Sequence, residues 1–231
     1  MTDITISLEA GESFAGYLAT PSSAPAPGIV LAQEIFGVNA YMRTIADVFA
    51  ALGYVVLCPD LFWRQEPGIQ LTDQSDQEWA RAFELYQGFD VEAGVGDLGT
   101  TLAHLRGLDD CNGKVASVGY CLGGTLSYLM ACLTDVDCAV GYYGVGIDEA
   151  LDKASGLSKP LMLHIAENDN FVPAEAQEKI KSGLAGNDLV TIHSYPGVDH
   201  AFARAGGQSY VADAATLANQ RTAEFLKAHL A

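Results

Sequence analysis

Cysteine at position 121 has the sequence context of a catalytic nucleophile. Residues 119–123 read Gly-Tyr-Cys-Leu-Gly, a pattern whose central residue is the nucleophile and is usually serine. A β-branched run over residues 114–118 precedes the pattern and an apolar stretch over residues 124–132 follows it, which predicts a strand, a sharp turn and a helix. Small neighbours permit the strained backbone that such a turn imposes on Cys121. The alternative interpretation is a glycine-rich turn around an inert buried cysteine.

A thiol nucleophile needs a base, and one histidine is placed to serve as that base. The usual cysteine pKa of about 8.5 leaves most of the thiol protonated near neutral pH, so a base and an acid that orients it are required. His200 lies in the loop after a predicted strand at residues 190–195. The other histidines fall inside predicted helices or strands, where a structural role is expected: His104, His164, His193 and His229. Glu167 and Asp169, in the loop after another predicted strand, are the candidate acids.

Strand and helix signals alternate along the chain and would position these residues. Strands are predicted at residues 4–8, 14–19, 28–33, 54–58, 114–118, 138–143, 160–165 and 190–195, with a turn at residues 9–13. Helices are predicted at residues 41–52, 76–87, 91–107, 124–132 and 214–230. This order predicts an α/β fold with a mostly parallel sheet, as a single domain over residues 1–231. Ligands of such sheets bind beyond the carboxyl ends of the strands. The sharp turn at Cys121, called the elbow below, and the loops that carry Asp169 and His200 all follow predicted strands.

The net charge and the cysteine content exclude several kinds of partner and site. With 12 basic and 29 acidic residues, the chain has a formal charge of −17, which argues against nucleic acid or an anionic membrane as partner. An anionic small molecule would be repelled at long range, so a site for one needs its own arginine. The five cysteines are odd in number and lack metal-ligand spacing, so we expect neither disulfides nor a metal. The first residues do not resemble a signal peptide, which favours a cytoplasmic protein.

Four segments resemble the dienelactone hydrolases, which are cysteine enzymes of the α/β-hydrolase fold. They are residues 33–37 (Gln-Glu-Ile-Phe-Gly), 119–124 (Gly-Tyr-Cys-Leu-Gly-Gly), 141–144 (Gly-Tyr-Tyr-Gly) and 199–202 (Asp-His-Ala-Phe). The similarity extends from about Pro27 to the final predicted helix. The resemblance implies an enzyme without a cofactor that opens a cyclic unsaturated ester carrying a carboxylate, in the bacterial breakdown of aromatic compounds. The sequence leaves the oligomeric state open, with a monomer favoured.

The same resemblance assigns catalytic roles. It implies Cys121 as nucleophile, His200 as base, Asp169 as acid, Glu34 as hydrogen-bond partner of the resting thiol, and the amides of Ile35 and Leu122 as the oxyanion hole. A carboxylate beside a thiol disfavours the thiolate, so resting Cys121 would stay neutral and resist oxidation. Substrate would then have to rearrange the site to generate the nucleophile. The alternative for Glu34 is a helix-capping or surface acid.

The predicted substrate pocket departs from the family in several places. Arg204 fits the family pattern as a carboxylate ligand, whereas Arg81 is equally well interpreted as a solvated charge on a helix. Further predicted substrate contacts are Tyr143, Phe36, Trp79, Phe83, Ala201 and Phe202. Trp79 stands where the family has arginine, Phe83 where it has tyrosine, and Ala201 where it has serine. These departures leave two alternatives open: a broader hydrolase of small esters or lactones, and a non-catalytic thiol sensor or binding protein.

Overall fold

The computed structural model describes residues 1–8 and 11–231, and its strands and helices alternate as predicted. The strands are Thr2–Ser7 (β1), Ser13–Ala19 (β2), Ala26–Ala32 (β3), Val55–Pro59 (β4), Cys111–Tyr120 (β5), Cys138–Tyr142 (β6), Leu161–Ala166 (β7) and Val190–Tyr195 (β8). The α-helices are Ala40–Ala51 (α1), Asp76–Gln87 (α2), Val91–Arg106 (α3), Leu122–Leu133 (α4), Ala174–Gly183 (α5) and Ala212–His229 (α6). Every predicted helix and strand is present, with bounds that agree within three residues. The predicted turn at residues 9–13 lies partly outside the described residues.

The strands form a sheet in the order β1-β2-β4-β3-β5-β6-β7-β8. β1 pairs with β2 and β2 with β4 in antiparallel fashion, whereas β3–β4, β6–β7 and β7–β8 are parallel pairs. This mostly parallel sheet with connecting helices confirms the predicted α/β-hydrolase fold. The chain divides into two compact units, Met1–Ala116 and Ser117–Ala231. The single domain expected from the sequence stays a prediction.

In the first unit, polar caps set where the helices begin. Asn39 caps α1 by accepting a 3.0 Å hydrogen bond from the Met42 amide. Ser75 and Asp90 cap α2 and α3 in the same way. Such caps satisfy amide donors that the first helical turn leaves unpaired. β3 and β4 are almost wholly buried, as expected for strands covered on both faces.

In the second unit, glycines let α4 lie directly against β6. A Cβ on Gly124 would approach the Tyr142 carbonyl oxygen to 2.5 Å, and one on Gly141 would approach the Gly124 carbonyl oxygen to 2.7 Å. No side chain fits at either place. The short helix α5 was not predicted from the sequence. In the described part of the chain, no helix has the length and apolar character needed to cross a membrane.

Candidate active site

The elbow is formed by the end of β5, Cys121 and the start of α4, as the sequence predicts. Cys121 has φ 56° and ψ −117°, a conformation that non-glycine residues rarely adopt and that costs about 1–3 kcal/mol. Its amide donates a 3.0 Å hydrogen bond to the Tyr142 carbonyl at the end of β6. Gly119 is required because a Cβ there would lie 2.0 Å from the Gly123 carbonyl oxygen. The elbow therefore requires glycine at position 119, where the end of the strand passes close to the start of the helix.

Leu122, whose amide is one of the two predicted donors of the oxyanion hole, is the first residue of α4. The first amides of a helix have no carbonyl partner within the helix and carry the positive end of its dipole. The Cys121 carbonyl accepts hydrogen bonds from the amides of Gly124 and Thr125, which closes the first turn of the helix. The start of α4 is therefore suited to hold negative charge developing next to Cys121.

The structure brings His200 into contact with both of its predicted partners in this unit. His200 Nδ1 lies 2.8 Å from Asp169 Oδ2, and both side chains are buried. The other Asp169 oxygen accepts the amides of Phe171 at 2.8 Å and Val172 at 3.1 Å, so the carboxylate is held in one orientation. On its other side, His200 makes a side-chain hydrogen bond with Cys121. Glu167, the other candidate acid, is exposed.

The contacts of His200 raise its pKa above the ordinary value of 6.5. Burial is the largest single influence on the pKa of His200 and lowers it. The negative charge of the Cys121 sulfur and the hydrogen bonds to Asp169 and Cys121 outweigh burial, and together they raise the pKa of His200 to about 10. A raised pKa makes His200 a strong base toward the Cys121 thiol.

Aromatic side chains enclose the His200 ring. Tyr143 lies edge-on to it with ring centroids 5.0 Å apart, and Phe171 lies edge-on from another side at 4.9 Å. Phe202 contacts Tyr143 with centroids 5.6 Å apart. Tyr143 and Ala201 both have positive φ angles, 38° and 62°, so the backbone bends sharply at both predicted substrate contacts. Their roles toward substrate stay predictions.

Phe171 is a site residue that the sequence reasoning did not single out. Its side chain is 44% exposed although its ring contacts the buried His200. An exposed phenylalanine next to a catalytic imidazole can contact a bound apolar group. The available signal was its position two residues after Asp169, in a loop already assigned to the site.

Arg204 lies in the same loop as His200. It is 7% exposed, and its amide donates a 2.9 Å hydrogen bond to the Ala201 carbonyl. Arginine side chains are rarely buried to this extent. The position agrees with a role in holding an anionic group, which stays a prediction.

In the first unit, the predicted thiol partner Glu34 follows β3 and is 1% exposed. Gln33 supports this segment by donating to the Glu34 carbonyl at 3.3 Å and accepting the Leu61 amide at 3.1 Å. Burial excludes the surface-acid alternative for Glu34. The helix-capping alternative is also excluded for α1, because Asn39 is its cap.

Three of the predicted substrate contacts form an aromatic cluster in this unit. Trp79 meets Phe36 edge-on at 5.0 Å and stacks on Phe83 at 5.5 Å. The Trp79 indole also donates a 3.1 Å hydrogen bond to the Asp73 carbonyl, which fixes the ring. The two positions where the family pattern changes, Trp79 and Phe83, therefore pack against each other.

Arg81, on the same helix as Trp79, is engaged by two carboxylates. Its guanidinium lies 2.5 Å from Glu66 Oε2 and 2.5 Å from Glu84 Oε2. Both acids are exposed, so the arrangement is a surface ion-pair network of the kind that contributes little to stability. This placement matches the alternative interpretation of Arg81 as a solvated helix charge.

The fold and the elbow define an α/β-hydrolase in which cysteine replaces the usual serine. The model of the dienelactone hydrolase family matches residues 14–230, and the chain belongs to this family. The family resemblance and the enzyme class predicted from the sequence, a hydrolase, are thereby confirmed. Enzymes of this kind act on small molecules, which confirms the predicted kind of partner in its general form.

Individual relatives and structures agree with this assignment. A protein of Azospirillum brasilense, provisionally named carboxymethylenebutenolidase, is 51% identical over 100% of both chains. The carboxymethylenebutenolidase of Pseudomonas putida is 45% identical over 96% of this chain and 94% of its own. A crystal structure of a provisionally named dienelactone hydrolase from Klebsiella pneumoniae has a TM-score of 0.83, with 26% identity and 96% coverage of each chain.

Proposed function

We propose that this enzyme opens a small unsaturated lactone that carries a carboxylate, through a thioester formed on Cys121. The observation that carries the proposal is that the His200 ring contacts both partners: Nδ1 lies 2.8 Å from Asp169 Oδ2, and the ring is hydrogen-bonded to Cys121. A nucleophile, a base within hydrogen-bond reach and an acid that orients the base are the requirements of covalent acyl transfer. The name of the Pseudomonas putida relative supports the choice of lactone.

In the first half of the reaction, the thiol proton of Cys121 passes to His200 and the sulfur attacks the lactone carbonyl carbon. The carbonyl electrons move onto oxygen, and the amides of Leu122 and Ile35 stabilise the oxyanion in this proposal. When the carbonyl re-forms, the ring C–O bond breaks and its oxygen takes the proton from His200. The opened chain is then attached to Cys121 as a thioester.

In the second half, water regenerates the enzyme. His200 removes a proton from a water molecule, whose oxygen attacks the thioester carbonyl. The C–S bond breaks, the thiol of Cys121 recovers its proton, and the product leaves as a free carboxylic acid. The net reaction adds one water to one lactone, and this chemistry uses neither a cofactor nor a metal.

Glu34 controls the resting charge of the thiol in this proposal, a role that comes from the family resemblance. A carboxylate next to the sulfur disfavours the thiolate, so Cys121 is neutral in the free enzyme and ionises when substrate displaces Glu34. Once the sulfur is ionised, His200 becomes the cation whose pKa is about 10. In this proposal the raised pKa of His200 favours transfer of the thiol proton to its ring, and Glu34 keeps Cys121 neutral until substrate binds.

The Glu34 proposal is tested by alkylation of Cys121 with iodoacetamide at pH 7. Wild-type enzyme should react slowly alone and faster after addition of a carboxylated, non-hydrolysable lactone analogue, because only the thiolate is the nucleophile. Glu34→Gln should react fast without the analogue. Equal rates for the two free enzymes would overturn the proposal for Glu34 without affecting the catalytic roles of Cys121 and His200.

A broader hydrolase of small esters or lactones is the second candidate. Its support is the engagement of Arg81 by Glu66 and Glu84, which removes one of the two expected carboxylate ligands. The cluster of Trp79 and Phe83 adds apolar surface where the family pattern has polar side chains. In this alternative Arg204 is the ligand for an acidic substrate, and neutral esters are also accepted.

We further propose that the enzyme is a cytoplasmic monomer, with neither nucleic acid nor membrane as a partner. The formal charge of −17 supports the exclusion of both polyanions, because like charges repel. Light scattering measures the mass, for which a monomer of 24.4 kDa is expected.

The function is tested with a panel of carboxylated lactones, neutral lactones and aryl esters, with Cys121→Ala as the control. The first proposal predicts the highest kcat/KM on carboxylated lactones, and the second predicts comparable values across the panel. Cys121→Ala should abolish turnover of every substrate while the protein stays folded by circular dichroism. A thiol sensor or binding protein would show binding and alkylation but no turnover, which would overturn both proposals.

A further inference from the structure

A buried polar network lies in the second unit and includes none of the proposed catalytic side chains. Thr222 of α6 is at its centre, with Oγ1 2.6 Å from the Tyr142 hydroxyl and 2.9 Å from His164 Nε2. His164 Nδ1 lies 2.7 Å from the Tyr195 hydroxyl, and the Tyr142 hydroxyl lies 3.0 Å from Asn219 Oδ1. All but Asn219 are buried, with Thr222 and His164 each 1% exposed.

The hydrogens of these four contacts can be assigned in sequence. Tyr120 and Arg221 make additional hydrogen bonds to the hydroxyls of Tyr142 and Tyr195, respectively, and a hydroxyl oxygen can accept two hydrogens. The amide oxygen of Asn219 only accepts, so Tyr142 donates its one hydroxyl hydrogen to it. Tyr142 must then accept from Thr222, and Thr222 in turn accepts from His164 Nε2–H. The remaining ring nitrogen, Nδ1, accepts from Tyr195. The result is one ordered chain of donors, from Tyr195 through His164 and Thr222 to Tyr142 and Asn219.

The order holds only while His164 is neutral, because a protonated ring donates from both nitrogens. Burial is the main cause that lowers the pKa of His164 well below its ordinary value of 6.5, and the nearby His193 and Arg221 add to this effect. Burial likewise raises the pKa of Tyr195 and Tyr142 above 10. Because His164, Tyr195 and Tyr142 are all neutral near pH 7, their hydrogen bonds keep one order of donors and acceptors.

Two residues of this hydrogen-bond network, Tyr142 and His164, also bind site residues through their backbone carbonyls. The Tyr142 carbonyl accepts the Cys121 amide at 3.0 Å, and the His164 carbonyl accepts the Tyr143 amide at 2.8 Å. Both held residues have positive φ angles, so neither conformation is one that the local backbone prefers. Strained residues of this kind persist only when surrounding contacts hold them. The Tyr142 side chain is fixed by Thr222 and Asn219, and its carbonyl is fixed with it.

We infer that Thr222 is a positioning residue for the nucleophile, acting through Tyr142 on the backbone of Cys121. The inference rests on the proposed function, in which Cys121 attacks the substrate. Thr222 touches neither substrate nor reacting atoms. Its hydroxyl accepts from His164 and donates to Tyr142, and so joins α6 to the residues of β6 and β7 whose carbonyls hold Cys121 and Tyr143. Loss of that hydroxyl should leave the chemistry intact but displace the sulfur from its line of attack.

Thr222→Val tests this inference because valine has nearly the same shape and no hydroxyl. A misplacement of about 1 Å can cost about 10²-fold in rate, so a shift of a few tenths should lower kcat about fivefold to tenfold, with a smaller change in KM. Thr222→Ser should restore most of the loss. Alkylation of Cys121 in the presence of the carboxylated analogue should slow in parallel with kcat. If kcat per folded enzyme is unchanged in Thr222→Val, the inference is wrong.

Thr101→Val is the matched control, because Thr101 is also fully buried in a helix and donates a 2.7 Å hydrogen bond to the Asp97 carbonyl. Both valine variants should lower the melting temperature, but only Thr222→Val should lower kcat. Equal effects on kcat in the two variants would mean that any buried hydroxyl loss disturbs the site, which overturns a specific role. Activity that survives Cys121→Ala would instead overturn the proposed function.

The order of donors has its own test, which also applies if Thr222→Val does not fold. Tyr142→Phe keeps the ring but removes the link to Thr222, and should lower kcat like Thr222→Val. Asn219→Asp can only accept and should be more active than Asn219→Leu, which can neither accept nor donate. In the ¹⁵N spectrum, His164 should be the Nε2–H tautomer. An Nδ1–H tautomer, or equal activity of the two Asn219 variants, would contradict the ordered chain.

Discussion

Asp169→Asn is the substitution that most directly tests the proposed triad. The asparagine oxygen can still accept the amides of Phe171 and Val172, now 2.8 Å and 3.1 Å from Asp169 Oδ1, so the loop should keep its fold. The asparagine NH₂ group would then face His200 Nδ1, and two donors cannot bond. His200 must turn to the tautomer in which Nδ1 accepts, which puts a hydrogen on the nitrogen that faces Cys121.

The size of the effect follows from these contacts. A hydrogen bond to a charged group is worth about 1.5–3 kcal/mol, or roughly 10-fold to 150-fold in rate. The wrong tautomer adds to this loss, and the equivalent change in a serine triad costs about 10⁴-fold. A thiol ionises more readily than a hydroxyl, so the dependence on the base is weaker here. We expect kcat/KM to fall about 10²-fold to 10³-fold at pH 7.

The assay is hydrolysis of a carboxylated lactone between pH 6 and 9, with folding checked by circular dichroism. Glu167→Gln is the matched control and should remain close to wild type, since Glu167 is exposed. A loss confined to Glu167→Gln, with Asp169→Asn near wild type, would refute the assignment of the acid.

Three further predictions concern titratable and charged side chains. His200→Ala should lower kcat about 10³-fold to 10⁴-fold, more than Asp169→Asn, because the thiol loses its base; a smaller loss than at Asp169 would contradict that role. Arg204→Met should raise KM more for carboxylated lactones than for neutral aryl esters, by a ratio that corresponds to about 1.5–3 kcal/mol. Arg81→Met should change KM for the two substrates alike. Equal increases in KM for both substrates in Arg204→Met would mean that Arg204 only supports the loop. The pKa of His164 is lowered on folding, mainly by burial, so its stabilisation is present above the ordinary pKa of 6.5 and is lost as pH falls below it. Wild type should therefore lose up to about 1.4 kcal/mol per pH unit more than His164→Gln in urea unfolding, and parallel pH profiles would contradict this.

The sequence by itself determined the local parts of the site. The glycines of the elbow follow from steric limits within a few residues, and the structure shows the collision that a side chain at Gly119 would cause. The bounds of α2 were predicted without error because Ser75 caps its start and a glycine follows its end. The loops of Asp169 and His200 follow strands in the expected order. Capping, turn chemistry and apolar periodicity act over short distances, so they can be interpreted from sequence alone.

Weak local signals explain what the sequence did not predict. Helix α5 has the sequence Ala-Glu-Ala-Gln-Glu-Lys-Ile-Lys-Ser-Gly, with few apolar residues and no clear stripe. Tertiary packing of Ala176 and Ile180 stabilises it, and its Gln177 side chain donates to the carbonyls of Ala166 and Val172 at 3.1 Å and 2.8 Å. Most helical stability in proteins comes from such packing, and propensity alone gives a weak prediction.

Only the tertiary structure decided which side chains are partners. Arg81 is paired with Glu66, fifteen residues away, and no local pattern distinguishes that pairing from a contact with substrate. His164 was expected to have a structural role in its strand, but its hydrogen bond to Thr222 joins residues 58 positions apart. Tyr142 and Thr222 are 80 positions apart. Contacts of this kind depend on how strand ends and helices meet in space, which is why the nucleophile could be predicted from the sequence and the network that holds it could not.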